Sequence, residues 1–290
     1  MKTSRLLNRY FIPFGKYIVV GVLVILSSLA FLYPQIFNCE IIRFSGFRAL
    51  KQNVYASSSV SSSQSRKLLK YISQSEMRVD SFYTGKTSRP VIIVCNNQEE
   101  YVKYCRSTEG AGCSLGTPWG STFIILNMQE VNIDVISHEM SHIELLTRLG
   151  WWKTTMQIPQ WFNEGIALML DTRFVSARHP VDRYMEYMDE WLYYTRGGQE
   201  ILELEDIESV KDFFRGNQQY VMLAYMTSGL EVSYWLHNTG SKGMSRLIAG
   251  MQEGQGFESA YRNAEQLNGE NSKRAKLPLN PLRRPLPARD

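Results

Sequence analysis

The 290-residue chain predicts an α+β domain carried behind one apolar N-terminal span, and three observations lead there. Strand-like runs come early, at Val91–Cys95 and Ser121–Leu126, whereas helical periodicity fills the later part, a segregation that argues against an alternating parallel sheet. From Tyr17 to Cys39 there is no charged residue, and the stretch is long enough for a helix to cross a bilayer. The third observation is Ile136-Ser137-His138-Glu139-Met140-Ser141-His142, an H-E-x-x-H pattern on a segment that reads as a helix.

Taken in order, residues 1–16 hold Lys2, Arg5, Arg9 and Lys16 and no acid, which predicts a cytoplasmic N-terminus. Residues 17–38 then read as a transmembrane anchor. A cleaved signal peptide is the competing reading, but Ser28-Leu29-Ala30 is a poor cleavage site and the apolar run continues past it. The anchor would place the main domain outside the cytoplasm, on the periplasmic or cell-surface side, with the membrane as a partner. Residues 39–65 read as a linker, its Ala56–Ser65 part a flexible Ser-rich spacer lifting the domain off the bilayer. The domain itself is expected over 66–270. It starts with a short helix near Arg66–Met77, then the Val91 strand, then a helix capped by Asn97.

Gly110 to Gly120 holds four glycines and Pro118 and reads as an irregular loop. Cys105 and Cys113 bracket its start, and a disulfide there would stiffen it; Cys95 reads as a buried small residue. After the Ser121–Leu126 strand, Val131–Leu149 is the motif helix, stopped at Gly150. Helices are expected from Pro159 to Leu170, over 181–195, from Gln219 to His237 and from Met244 to Met251. Residues 271–290 carry a net +5 and four prolines and read as a disordered basic tail. The total charge is +4, so the body is nearly neutral, which argues against nucleic acid as a partner.

The chemistry sits on the motif helix. Residues four apart lie on nearly one face, about 6 Å apart along the axis, so both imidazoles can reach one metal ion. Glu139 is turned roughly 100° from His138, where its carboxylate can address a water on that metal. Zinc suits two imidazoles plus a third protein ligand with one position left open. For that third ligand the chain offers Glu164, His179, His237 and carboxylates including Glu144 and Asp171. Glu144 lies on the wrong side of the helix, while Glu164 follows His142 by 22 positions, on the next helix.

His138-Glu139-x-x-His142 followed by Trp161-Phe162-Asn163-Glu164-Gly165 resembles the gluzincin zinc metallopeptidases, in particular the peptidase-MA-like group related to the thermolysin and aminopeptidase-N types. The likeness runs over about residues 90–262 and includes Tyr225-Met226-Thr227-Ser228. It implies a zincin-like domain: a small N-terminal sheet, the motif helix and a helical C-terminal part. It also implies Zn2+ on His138, His142 and Glu164, with Glu139 as general base. Tyr225 is implied as the donor to the anionic intermediate, with Tyr220 and Tyr234 as alternatives. The substrate would be a peptide or protein, and the strand at 121–126 is expected to pair with it. Thermolysin-type enzymes carry an Asp four residues after the ligand Glu; here that position is Leu168, so the group orienting the zinc histidine is unassigned. That departure is the ground for an alternative, a catalytically inactive zinc-containing module that binds an envelope or peptide partner. An intramembrane protease is excluded, because the motif helix is amphipathic and far from the apolar span.

Overall fold

The computed structural model describes residues 17, 19–22, 24, 25, 27, 28, 30–107, 110–266, 277, 278 and 280–283. One five-stranded sheet runs in the order β1-β2-β3-β5-β4, from Arg48–Lys51, Val54–Ala56, Val91–Cys95, Thr122–Asn127 and Gly112–Gly116 respectively. The three central strands β2, β3 and β5 are parallel, and β1 and β4 are antiparallel edges. The molecule is therefore mixed α/β, which corrects the expected α+β segregation. The parallel core arises because helices cross over between these strands: α2 (Ser62–Tyr83) between β2 and β3, and α3 (Gln98–Cys105) after β3.

Alternation along the strands divides the core. Ile92, Val94, Ile124 and Leu126 face α2 and the motif helix, whereas Ile93, Cys95, Phe123 and Ile125 face α1 (Pro34–Glu40) and α3. Because both faces are covered, β3 and β5 need a continuous apolar run, and that is what made them readable. The motif helix α4 spans Ile133–Leu149, capped by the Asn132 side chain on Val135 N–H and stopped at Gly150. Beyond it follow α5 (Trp151–Gln157), α6 (Gln160–Leu168), α7 (Pro180–Tyr194), α8 (Val210–Phe213), α9 (Gln218–Thr239), α10 (Gly243–Gln252) and α11 (Phe257–Gln266).

The expected transmembrane anchor needs correction. Among the described residues, no helix is long and apolar enough to cross a membrane. Described positions from Tyr17 to Leu32 are helical, but Tyr33 leaves the helical region at φ −129°, ψ 60° and Pro34 opens a new helix. Pro34 accounts for the break at Tyr33: its ring crowds the backbone of the residue before it and it has no N–H to continue the ladder. The single-pass membrane placement rested on that span and falls with it. Residues 1–16 and positions 18, 23, 26 and 29 lie outside the described residues.

Three further expectations give way. The linker at 39–65 is structured, with the β1–β2 hairpin inside it and α2 beginning at Ser62 through a Ser61–Gln64 capping box. The Gly-rich loop contains the edge strand β4, so β5 at 122–127 is internal and has no free edge for a substrate. Where it is described, the tail is docked: Asn280 is buried with its amide on Glu231, and Arg283 pairs with both Glu231 and Glu265. The rest of 271–290 lies outside the described residues.

Candidate metal centre

Helices α4 and α6 bring His138, His142 and Glu164 together, with one ligand atom from each lying within 4.8 Å of the others. Glu164 Oε2 is 3.2 Å from His138 Nε2 and 3.7 Å from His142 Nε2. Ligands at about 2.0–2.1 Å from a tetrahedral ion sit roughly 3.4 Å apart, so the spacing fits one small cation. A second observation agrees. Glu164 is buried, its Oε1 accepts from Gln160 Nε2 at 2.7 Å, and its Oε2 is a buried oxygen without a hydrogen-bond partner. A buried charge is normally paired or coordinates a metal. The three residues could hold a metal ion.

Close packing of the Glu164 helix against α9 has a local cause in Gly165. A Cβ there would lie 2.7 Å from the Ser228 carbonyl and 2.5 Å from Val232, so α9 can approach the ligand helix only at glycine.

Each imidazole has a polar neighbour at its far nitrogen. His142 Nδ1 is 3.0 Å from Asn163 Oδ1, one residue before the ligand glutamate. His138 Nδ1 faces Asp171 Oδ2 at 3.5 Å. Asp171 thus stands where Leu168 could not, seven residues after Glu164 rather than four. Its position is built by a chain of contacts: Asp134 Oδ1 accepts from Thr172 N–H and hydroxyl, and Arg78 bridges Asp134 to the Leu170 carbonyl. Arg173 then clamps Asp171 with paired bonds of 2.9 Å and 2.5 Å.

The electrostatics follow from this ring of acids. Burial disfavours a charged His138, but Asp171, Glu164 and Glu139 outweigh it and raise its pKa to about 10 in the metal-free protein. Burial likewise opposes the charge on Glu164, yet the two imidazoles hold its pKa below the usual value.

Glu139, the residue after His138, is only 9% exposed and lies beside the edge strand. A Cβ on Gly112 would come within 2.9 Å of its Cγ, so β4 can pass over Glu139 only at glycine. The Cys105–Cys113 disulfide ties this strand to the end of α3. Beside His142 a cleft of about 660 Å³ opens between β4 and the helical half, with Ser114, Leu115, Leu146, Ile158 and Trp161 on its walls. The strand bordering the cleft is β4.

Tyr225 packs against Phe174 and Phe213. Burial, Glu164 and Glu139 push its phenol well above 10, so it stays protonated and able to donate. Tyr220 is engaged with Asp212 O and Arg215, and Tyr234 lies under Arg283 at the tail, so neither alternative shares that setting. The other candidate ligands are elsewhere. Glu144 binds Thr87 and Ser88, His179 sits 3.7 Å from Asp182, and His237 is in the last turn of α9. Asp171 and Asn163 are the neighbours of the imidazoles that sequence reasoning did not place there; Asn163 lay inside the quoted Trp-Phe-Asn-Glu-Gly run, and no spacing rule pointed to Asp171.

No protein-family model matches this chain, and no curated protein matches it. The functional reading therefore stands on its own residues.

Proposed function

We propose that the chain is a zinc-dependent metallopeptidase of gluzincin type, with zinc on His138, His142 and Glu164. The observation that carries this reading is the buried, unpartnered Glu164 oxygen facing two imidazoles, one of which, His142, lines a cleft. Bound zinc would supply a water of lowered pKa and a polarising charge at the substrate carbonyl. Glu139 takes the proton of the attacking water and passes it to the leaving amine. Tyr225 donates its O–H to the developing oxyanion, which burial and two neighbouring carboxylates keep it protonated to do. Asn163 and Asp171 hold the imidazoles so that both Nε2 atoms point at Glu164. The free edge of β4 receives an extended peptide, and its side chains enter the cleft beside His142. The binding-only alternative rested on the missing carboxylate at Leu168; with Asp171 facing His138 it loses that support.

Elemental analysis of the purified chain, beside His142→Ala, is the first test. About one zinc per chain, lost in the variant, is expected. A peptide library should then be cleaved by the wild type, with Glu139→Gln slower by about a hundredfold to ten-thousandfold at unchanged zinc content. A folded, zinc-supplemented sample that retains no zinc ends the metal reading. Retained zinc without cleavage restores the binding module.

A further inference from the structure

A second cavity, about 750 Å³, lies away from the metal cluster, and none of His138, His142 or Glu164 lines it. It is bounded by α7, the ends of α2 and α9, and the Met169 turn. Its walls divide by chemistry. Phe82, Met169, Val181, Leu236 and Met244 form an apolar side, and Arg178, His179, Arg183 and His237 supply the polar side.

The charges on the polar side are unbalanced. Arg183 donates to two carbonyls, Ala177 O at 2.7 Å and Met169 O at 2.5 Å, and forms no ion pair with a carboxylate among the described residues. Burial, together with Arg78 and Arg178, lowers its pKa even against the opposing influence of Glu186. The two acids close by are turned to other partners: Asp182 to His179, and Glu186 to the backbone N–H groups of Ser176 and Ala177. Arg178 is exposed and has no hydrogen bond or ion pair among the described residues. Two guanidinium groups thus line a cavity large enough for a small organic molecule, with an apolar wall opposite and neither of them ion-paired with a carboxylate among the described residues.

We propose that this cavity binds an anionic amphiphile, a single carboxylate or phosphate monoester head on Arg178 and Arg183 with an apolar chain along Met169, Leu236 and Met244. The site is independent of the metal reading and survives or fails without it. Such a ligand supplies the counter-charge that Arg183 lacks, and charge-assisted bonds to a planar guanidinium favour oxygen anions over neutral heads.

The probes are decanoate and decyl phosphate, with decanol and inorganic phosphate as the head-free and tail-free controls. Hydrogen exchange of the full chain locates the contact, and titration calorimetry gives the affinity. Decanoate or decyl phosphate should slow exchange in residues 169–183 and 236–244, and the tighter of the two identifies the head group. Arg178→Gln should weaken binding by about tenfold or more at an unchanged thermal midpoint. Met244→Trp, which fills the apolar side, should weaken it with the arginines intact. Equal protection by decanol, binding of inorganic phosphate as tight as decyl phosphate, protection confined to other segments, or indifference to Arg178→Gln would each overturn the proposal.

Discussion

Glu231 and Glu164 are both buried glutamates in the helical half, 2% and 5% exposed, but their surroundings differ in kind. Glu231 is saturated. Its oxygens accept from the Tyr261 hydroxyl at 2.5 Å, from Asn280 at 2.6 Å and from a guanidinium of Arg283 bound at both edges. Glu144 on the motif helix is saturated in the same way, by Thr87 N–H and hydroxyl, Ser88 N–H and Arg148. Glu164 has one oxygen bonded to Gln160 and the other to nothing but a pair of imidazoles at ion-pair distance. A carboxylate whose lone pairs are filled by the chain holds the fold together. One that is buried with an acceptor left open costs stability unless something else arrives. The comparison separates the two roles without reference to any relative.

It can be broken by ranking the three carboxylates on the stability of the metal-free protein. The largest effect belongs to the Glu231 clamp. Arg283→Ala leaves a buried anion without its cation, and chemical unfolding should show a loss of about 3–5 kcal/mol. A loss below about 1 kcal/mol would mean that the tail is not part of the folding unit.

Glu144 comes next and carries a pH signature. Burial raises its pKa, but the Ser88 and Thr87 donors overcome this and bring it down to about 2, from an ordinary 4.5. A depressed carboxylate gives its stabilisation in full above its unfolded pKa and loses it as the proton binds in the native state. The stability curve of the wild type should therefore fall between pH 4.5 and about 2. Glu144→Gln should cost about 2 kcal/mol at neutral pH and remove much of that acid limb. An acid limb identical to that of the wild type would place the titrating group elsewhere.

The smallest structural effect is expected at the candidate metal site. Glu164→Gln should change the metal-free stability by no more than about 1 kcal/mol, while zinc retention is lost. Asp171→Asn should leave zinc bound but weaken it about tenfold to a hundredfold, measured by competition with a chelator. Should Glu164→Gln unfold the protein as Arg283→Ala is expected to, Glu164 would be a structural residue and the contrast would vanish.

How much of this was readable depended on the range of the interaction. The β-branched run at Val91–Cys95 emerged as β3, and the 131–149 helix began only two residues late at Ile133, because local periodicity and the Asn132 and Gly150 caps act within one or two turns. The N-terminal span was read straight through an equally local signal, Pro34, which opens a new helix after Tyr33 leaves the helical region. The β1–β2 hairpin and β4 were missed for another reason. Ala49 and Gly112 carry no pattern of their own, and these strands exist because β3 and β5 provide hydrogen-bond partners.

The candidate site divides in the same way. By itself the sequence determined that His138 and His142 share a helical face with Glu139 turned beside them, since the 3.6-residue period leaves no other arrangement. The tertiary structure decided the rest: that Glu164 and not His179 or His237 faces them, that Asp171 stands 3.5 Å from His138 Nδ1, and that β4 borders the cleft. These contacts join residues 21 or more positions apart, and their closure depends on packing of Gly165 against α9 and on Arg78 holding the turn before Asp171. A helix repeat specifies neighbours along one element; only packing between elements specifies neighbours across the chain.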